Sequence, residues 1–286
     1  MQNNPIITLT SDFGYKDPFV GMIKGVILSI NPLAKIIDIT HGISPHNIKE
    51  AALTIGMSHS FFPPKTVHVV VVDPGVGSSR RPILVITDHA YFIGPDNGVF
   101  SLIYNSKNET LKVIHLTSKH YFMPYKGPTF HGRDIFAPAA AWLTKGIESA
   151  NFGEAITDYV TLKFPSPSRP EEKAVEGEVI YIDCFGNAIT NIKALDMNML
   201  YSVNPEGKIK IIVTPVRKLG RGFLSNGVKE RHTELRSHYS QVPDKGLYAL
   251  VNSTEYLELF TYKGNASSVF DIKVGDVVRV ILSDLK

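Results

Sequence analysis

Cysteine is nearly absent from this sequence, which has one such residue, Cys184, among 286. A single thiol excludes a disulfide within the chain and excludes a zinc site made of several cysteines. We expect this thiol to be buried, as suits a protein of the reducing cytoplasm. The N-terminus also lacks the basic start and long apolar run of a signal peptide, so we predict a cytoplasmic protein.

Long apolar runs and a strong excess of one charge are also missing. No stretch approaches the roughly 20 apolar residues that span a bilayer, so we predict no membrane partner. The 30 Lys and Arg residues barely exceed the 27 Asp and Glu residues, which gives a net charge of +3. So small an excess, with aromatic residues not interleaved among basic ones, predicts no nucleic-acid partner.

Common motifs for phosphate, metal and acyl chemistry are absent as well. The sequence contains no GxxxxGKS or GxxxxGKT loop, no HExxH pair and no GxSxG elbow. The stretch GPDNGVF (94–100) lacks the spacing of a dinucleotide-binding fingerprint. We therefore predict no cofactor and no metal.

The first half of the chain alternates short apolar runs with helical patterns. Strands are predicted at 6–10 and 34–40, and helices at 19–30 and about 47–60. The run VHVVVVD (67–73) is apolar almost throughout, which is typical of a central parallel strand covered on both faces. This order of elements predicts an α/β domain with a largely parallel sheet.

A change in the predicted secondary-structure pattern divides the chain in two. The segment FPSPSRPEEK (164–173) contains three prolines and two serines and is predicted to be a linker. Alternating strand patterns with Gly and Asn turns follow it, and no long helix is evident there. We predict an N-terminal α/β domain over 1–163 and a small C-terminal β-barrel over 174–286.

Acidic residues lie at or near the ends of the predicted parallel strands. Asp12 follows the first strand, Asp38 lies within the second and Asp73 closes the third. Ligands bind beyond the carboxyl ends of such strands, so these side chains are candidates for a site. Arg80 is far enough past Asp73 for the glycine-rich loop between them to turn back and pair the two charges. An Asp at a strand end also commonly caps a helix or shapes a turn, and that alternative stays open.

Another candidate segment is FHGRDIF (130–136), in which His131 precedes a glycine and the start of a predicted helix. This favours a loop-end position for His131 that points into a cleft, although a lone histidine is more often structural. Asp134 is better explained as the helix N-cap or as a partner of Arg133.

Two further candidates lie in the predicted barrel. The segment DCFGNAITN (183–191) follows the first strand of that domain. Its Phe-Gly-Asn sequence is typical of a turn, and equally of groups that stack on a base and hydrogen-bond to it. The segment VNSTEYLELF (251–260) is typical of a turn followed by an edge strand.

Seven segments, in order, resemble one family, the S-adenosyl-L-methionine (SAM) hydrolases. This family is also called the SAM hydroxide adenosyltransferases and is related to bacterial fluorinase and chlorinase. The segments are TSDFGYKDPFVGMIKG, IIDITHGISPHNI, VVVVDPGVGSSRR, GPDNGVF, TFHGRDIFAPAAAWL, YIDCFGNAITNI and VNSTEYLELF. The region 216–244 matches less well, and no function is inferred from it.

The resemblance implies an N-terminal α/β domain, a C-terminal β-barrel and a homotrimer with sites between neighbouring subunits. It implies metal-independent hydrolysis of SAM to adenosine and L-methionine, by in-line (SN2) attack of water on the ribose C5′. Three residues match the family's set that orients and polarises this water, namely Asp73, Arg80 and His131.

The same matching assigns the parts of the substrate. It implies that Asp12 binds the ribose hydroxyls and that Asp17 and Asp183 bind the methionine ammonium. It also implies that Phe185 and Asn187 bind the adenine and that Ser253 binds the methionine end. Thr254 stands where some relatives carry a basic residue near the methionine carboxylate, which puts that contact in doubt.

Three alternatives remain beside SAM hydrolysis. A SAM-dependent 5′-halogenase is disfavoured, because a carboxylate at Asp73 repels halide and Gly132 has no hydroxyl to hold fluoride. A non-catalytic adenosine- or SAM-binding module would bind its ligand without turnover. A metal-dependent phosphoesterase would gather four side chains around divalent ions, namely Asp12, Asp38, Asp73 and His131.

Overall fold

The computed structural model divides the chain into two compact units, with the boundary between residues 163 and 164. Each unit has a hydrophobic core of its own. The residues that the structure describes are 4–104, 110–125, 127–205, 207–219, 222–224 and 230–283. The region 216–244 thus lies partly outside the described residues.

A seven-stranded mixed sheet forms the centre of the first unit, in the order β2-β1-β3-β5-β4-β6-β7. Strands β2, β1, β3 and β5 are parallel, whereas the pairings from β5 to β7 are antiparallel. The strands are β1 (Ile6–Ser11), β2 (Lys35–Thr40), β3 (Thr66–Val71), β4 (Pro82–Ile86), β5 (Ala90–Pro95), β6 (Lys112–Leu116) and β7 (Gly153–Ile156).

Strand β3 has the central position that its apolar run predicts. All six of its residues are buried, and it pairs in parallel with β1 on one side and β5 on the other. Its alternate side chains enter two cores, with Val69 on one face and Val70 on the other. Parallel strands are buried on both faces in this way when helices cover the sheet.

The sheet changes from parallel to antiparallel at a hairpin. Strands β4 and β5 pair from Pro82 opposite Pro95 to Ile86 opposite Tyr91. Only three residues separate these strands, too few for the crossover that a parallel pair requires. The α/β class is therefore confirmed, and its parallel part is the half that carries β1 and β3.

Helices cover both faces of this sheet. Helix α1 buries the apolar face that its spacing predicts, with Val20, Ile23 and Ile27 turned inward. Within the described part of the chain, no helix is long and apolar enough to cross a membrane. The helices of this unit are α1 (Phe19–Ile30), α2 (Ile48–Ser58), α3 (Ser101–Tyr104) and α4 (Ala137–Thr144), and a π-helical turn over Gly132–Phe136 leads into α4.

The second unit is an antiparallel, nearly closed barrel, in the order β14-β11-β17-β9-β10-β16-β15. A bridge between Leu235 and Ala249 brings the two ends of this order together, which confirms the predicted β-barrel. Strand β8 pairs with β9 outside this order, and β12 and β13 form a separate two-stranded sheet. The strands of this unit are β8 (Ser168–Glu171), β9 (Ala174–Ile182), β10 (Ala188–Lys193), β11 (Lys208–Thr214), β12 (Arg217–Leu219), β13 (Gly222–Leu224), β14 (Arg231–Glu234), β15 (Tyr248–Val251), β16 (Tyr256–Phe260) and β17 (Val277–Ser283).

The sequence pattern shows no long helix in this unit, and the structure adds two short ones. Helix α5 (Ala194–Val203) covers the barrel with Met197 and Leu200, and the five-residue α6 (Ala266–Phe270) follows later. The start of α5 is hard to see in the sequence, because Lys193 occupies the N-cap where Ser, Thr, Asp or Asn is usual. Asp196 stabilises this start by accepting from the Lys193 backbone N–H at 2.8 Å.

Three other details differ from the sequence-based expectations. The predicted linker contains β8, which pairs with β9. Strand β16 is not an edge strand, because it lies between β10 and β15. The Cys184 thiol is exposed rather than buried, because it lies in the tight turn between β9 and β10.

A buried histidine in the first unit leads to a prediction about stability. His68 is 0% exposed, its Nδ1 lies 2.7 Å from Thr8 Oγ1, and its ring stacks on Phe92. Burial lowers the pKa of His68 from 6.5 to about 3. The unfolded chain therefore binds a proton between these two pH values that the folded chain does not.

We expect this proton to lower the free energy of unfolding as the pH falls from about 6.5 towards 3, by up to about 1.4 kcal/mol per pH unit. In the variant His68→Gln the slope of the unfolding free energy against pH should decrease by the equivalent of up to one proton, whatever the variant does to the stability at pH 7. Urea unfolding followed by circular dichroism between pH 7 and 5 measures it. The exposed His89→Gln should keep the wild-type slope, and an unchanged slope in His68→Gln would contradict this account.

Candidate active site

The candidate site lies at the carboxyl ends of β1 and β3. These strands are parallel neighbours with Ser11 opposite Val71, so the residues that follow them emerge at the same edge of the sheet. Asp12 comes directly after β1 and Asp73 comes two residues after β3. An edge of this kind is where open α/β sheets bind their ligands.

A cavity of about 300 Å³ opens at this edge. It brings together three acids and a histidine that the sequence analysis singled out, and also His46, which that analysis missed. The cavity is lined by Asp12, Phe13, Asp17, Phe19, Pro45, His46, Val71, Asp73, Val76, Thr129, Phe130, His131 and Gly132.

The loop after β3 turns back and pairs Asp73 with Arg80, as their spacing predicts. Arg80 Nε donates to Asp73 Oδ1 at 2.9 Å, and Arg80 Nη2 donates to Asp73 Oδ2. Gly77 allows the turn, because it has a φ of +80° and a side chain there would collide with the backbone oxygen of Pro128.

The same guanidinium also holds His131. Arg80 Nη2 lies 2.6 Å from His131 Nδ1, and the Arg80 head group stands 5.4 Å from the ring centre of Phe136. The side chains of Arg80 and Asp73 are only 9% and 6% exposed. Asp73 and His131 line the cavity, whereas Arg80, which holds them both, does not.

The segment GPDNGVF (94–100) anchors the loop that carries Asp73 and Arg80. Arg81 donates to Asp96 at 2.6 Å and to Asp158 at 2.7 Å. These bonds hold the backbone directly after Arg80. Asn97 Nδ2 donates to the Val72 carbonyl at 2.9 Å, directly before Asp73. This segment therefore has a structural role beside the site.

Burial raises the pKa of the Asp73 carboxyl, the charge of Asp12 adds to this shift, and the hydrogen bonds from Arg80 oppose it. A carboxylate whose pKa is raised is a better proton acceptor than a free aspartate, and the arginine partner favours its anionic form, which can order a polar ligand.

Asp12 is held by the loop after β2. The backbone N–H of His46 donates to Asp12 Oδ2 at 2.9 Å. His46 has a φ of +66°, a conformation that costs energy in a residue other than glycine and that its neighbours must maintain. No sequence pattern announces a positive φ at a histidine, so His46 was not a candidate. Asp17 lines the same cavity from an exposed position before α1.

The cavity is lined by three of the four side chains that a metal-dependent phosphoesterase would use, and the fourth, Asp38, lies elsewhere. Asp38 points to Lys24 and Tyr15, at 2.6 and 3.3 Å, and does not line the cavity. Among the described residues, no group of three or more His, Cys, Asp or Glu side chains is placed to hold a metal ion.

Asp134 pairs with Arg133 at 2.6 Å, as one of its two explanations predicts.

The remaining substrate candidates lie in the second unit. Asp183 organises the turn between β9 and β10: its Oδ1 accepts from the backbone N–H groups of Phe185 and Asn187, at 2.9 and 2.8 Å. Phe185 is 72% exposed at the tip of this turn, whereas Asn187 is buried and donates to Asp183 Oδ2 at 3.2 Å. The turn offers an aromatic ring beside a carboxylate and an amide.

Ser253 lies exposed in a different turn, before β16. Asn252 shapes that turn by accepting from the N–H and the hydroxyl of Thr254, at 3.0 and 2.8 Å. Because β10 and β16 are antiparallel, with Lys193 opposite Tyr256, this turn and the Asp183 turn lie at different ends of the strand pair.

Known proteins match this chain over nearly its full length. It is 33% identical over 283 residues to an (R)-S-adenosyl-L-methionine hydrolase of Methanocaldococcus jannaschii, with 96% of this chain and 95% of that protein covered. A protein of the same name from Salinispora tropica is 35% identical, with 98% and 99% covered. A fluorinase of an Actinoplanes species is 27% identical, with 97% of each covered.

A solved structure has the same fold. It is described as an uncharacterized conserved protein from Thermotoga maritima, and it superposes with a TM-score of 0.83 at 34% identity, over 96% of this chain and 99% of the other. Family models described as the N-terminal and C-terminal domains of SAM hydroxide adenosyltransferase match residues 7–153 and 177–279. The chain therefore belongs to the SAM hydroxide adenosyltransferase family.

Proposed function

We propose that this protein hydrolyses SAM to adenosine and L-methionine. A water oxygen forms a bond to the ribose C5′ while the bond from C5′ to the sulfonium sulfur breaks. The bonding electrons pass to sulfur, which leaves as the neutral thioether of methionine, and the water loses one proton. The observation that carries the proposal is the pair Asp73 and His131, which face one cavity and share a single buried arginine.

The leaving group explains what such a site must supply. A sulfonium leaves as a neutral thioether, so no acid is needed to protonate it. The remaining difficulty is to hold water in line with C5′ and sulfur and to accept its proton. Correct orientation of two reacting groups can contribute about 7–11 kcal/mol of the barrier.

Hydrogen-bond directions divide these tasks between Asp73 and His131. A guanidinium has no acceptor, so His131 Nδ1 must accept from Arg80. The neutral imidazole then carries its proton on Nε2 and donates to the water oxygen. Asp73 is the group that accepts a water hydrogen, and its raised pKa suits it to take the proton.

Asp12 and the barrel turns would bind the substrate. A carboxylate can accept from both hydroxyls of a vicinal diol, and Asp12 retains acceptor sites beyond the one used by His46. Asp17 and Asp183 would bind the methionine ammonium. The assignment of Ser253 to the methionine end rests on the resemblance alone, because its turn lies at the other end of the strand pair from Asp183. Phe185 and Asn187 would stack on and hydrogen-bond to adenine.

The halogenase alternative fits this cavity less well. The carboxylate of Asp73 faces the position that a halide would occupy, and like charges repel. Gly132 has no room for the hydroxyl side chain that could hold fluoride, because a Cβ there would lie 2.9 Å from Val71 Cγ1 and 3.3 Å from Ile23 Cδ1.

A homotrimer with sites between neighbouring subunits completes the proposal. The outer face of α1 supports it, because this face exposes Met22 and Leu28 and the charged residue of the helix, Lys24, is paired with Asp38. It also carries Gly21 and Gly25, which weaken a helix by about 1 kcal/mol each. Added side chains at these glycines would meet none of the described atoms within 4 Å, so their small size suits close approach of another subunit.

The activity itself is tested with Asp73→Asn. We expect purified wild-type protein to release adenosine from SAM, detected by chromatography, and the variant to be slower by about 10²–10⁴-fold, the usual contribution of a positioned proton acceptor. In ¹⁸O-labelled water the label should appear in the 5′-hydroxyl of adenosine. Asp88→Asn, an exposed acid in the β4–β5 hairpin, is the matched control and should keep the wild-type rate.

Other products or conditions separate the alternatives. Adenosine binding without turnover would identify a binding module, a 5′-halogenated nucleoside would identify a halogenase, and loss of activity with a chelator would identify a metal enzyme. Equal rates for Asp73→Asn and the wild type would show that Asp73 is not the proton acceptor.

The division of labour between Asp73 and His131 has its own test. We expect ¹⁵N NMR at pH 7.5 to show His131 with an unprotonated Nδ1 and a protonated Nε2. In Arg80→Met the constraint on Nδ1 is lost, and the ring should become a mixture of tautomers. A protonated Nδ1 in the wild-type protein would be inconsistent with the arrangement at Arg80.

The proposed interface predicts the effect of a charge on α1. Met22→Glu should convert the trimer to monomers in analytical ultracentrifugation, because a carboxylate would be buried without a partner. Lys49→Gln on α2 makes the same change in net charge at an exposed position and should leave the assembly intact. A Met22→Glu protein that remains trimeric would exclude α1 from the interface.

A further inference from the structure

A second buried histidine lies next to the loop that carries Asp12. His41 follows β2, and its side chain is 2% exposed. Its Nδ1 lies 2.7 Å from Ser11 Oγ, and its Nε2 lies 3.2 Å from Asp38 Oδ1. Lys24 donates to the other Asp38 oxygen at 2.6 Å. Burial opposes ionisation of Asp38, but its bonds to Lys24 and His41 lower its pKa overall and keep it an anion.

The hydrogen-bond partners of His41 determine which ring nitrogen carries its proton. The Asp38 carboxylate has no proton to share and lies 3.2 Å from His41 Nε2, a charge contact that favours the ring proton on Nε2, so the neutral ring accepts at Nδ1. Ser11 Oγ therefore donates to His41, and its lone pairs accept from the Phe13 backbone N–H at 3.3 Å. Burial lowers the pKa of His41, so the ring is neutral at pH 7.

These contacts hold both loops that surround Asp12. The N–H of Gly14 donates to the His41 carbonyl at 2.8 Å, which joins the loop after β1 to the loop after β2. Farther along the second loop, the N–H of His46 donates to Asp12 Oδ2 at 2.9 Å. The direction of the Asp12 carboxylate thus depends on the relative position of two loops. His41 joins them through its ring and its carbonyl, and the Ile43 N–H adds a backbone bond to the Ser11 carbonyl at 3.3 Å.

We propose that His41 is a positioning residue that aims the Asp12 carboxylate at the ribose hydroxyls of the substrate. The proposal rests on the function proposed above, in which Asp12 binds the ribose. His41 does not line the cavity and touches no substrate. Its effect is one of distance and angle, and misplacement of a binding group by about 1 Å can cost roughly 10²-fold in activity.

Steady-state kinetics and adenosine affinity of two variants test this role. We expect His41→Ala to raise the KM for SAM and the Kd for adenosine by about 10-fold, equal to about 1.4 kcal/mol, with a much smaller change in kcat. His41→Asn puts an amide close to the position of Nδ1, keeps a partner for Ser11, and should restore most of the affinity. Equal defects in both variants, or a defect confined to kcat, would overturn the proposal.

A pair of hydroxyl variants provides a test that leaves the ring in place. Ser11→Ala removes the bond to His41 and should weaken adenosine binding as His41→Ala does. Thr8→Val is the matched control, because Thr8 lies on the same strand as Ser11 and its Oγ1 makes a bond of the same length, 2.7 Å, to the buried His68 of β3. It should leave the KM unchanged, and an equal rise in both variants would indicate only a general effect on the sheet.

A double-mutant cycle with Asp12→Asn shows whether His41 acts through Asp12. In the Asp12→Asn background, His41→Ala should cause little further loss of adenosine affinity, because the effects of substitutions at two interacting residues do not add. The same loss in both backgrounds would overturn the proposal. A wild-type protein that binds adenosine but releases none from SAM would refute the proposed hydrolysis alone, and one that binds no adenosine would refute both.

Discussion

One buried cation, the guanidinium of Arg80, determines how the polar groups of the site are arranged. It donates to both oxygens of Asp73 and to Nδ1 of His131, with the ring of Phe136 against it. Removing one partner of such a buried pair typically costs about 3–5 kcal/mol, because a charge is then left without compensation. The glycine-rich loop after β3, the bonds of Arg81 to Asp96 and Asp158, and the π-helical turn before α4 therefore serve to keep this cation in one place.

Much of the first unit follows from signals that act over short distances. The β-branched run of β3 is long enough to be buried on both faces, and α1 repeats its apolar residues at helical spacing. The pairing of Asp73 with Arg80 was also accessible, because a loop of that length with glycines can close on itself. Neither residue alone was evidence of a site, since an Asp at a strand end has several ordinary uses.

What the sequence did not reveal depends on contacts between distant segments. Helix α5 starts at a lysine, and its stabilising contacts are with the barrel. The positive φ of His46 is maintained by its bond to Asp12, 34 residues earlier in the chain. Cys184 was expected to be buried, as suits a protein of the reducing cytoplasm, but it lies in the turn that joins two paired strands and is exposed. In each case the deciding partner comes from tertiary structure, which local patterns do not contain.

The π-helical turn before α4 constrains the length of the chain as well as its composition. The N–H of Ala137 donates to the carbonyl of Gly132, five residues back, so this turn holds one residue more than an α-helical turn. Each residue of an α-helix rotates the chain by about 100°. Deleting one residue here would restore a regular helix and yet rotate His131 away from Arg80. In this segment a deletion is more damaging than most substitutions, because it changes a direction that no neighbouring side chain can restore.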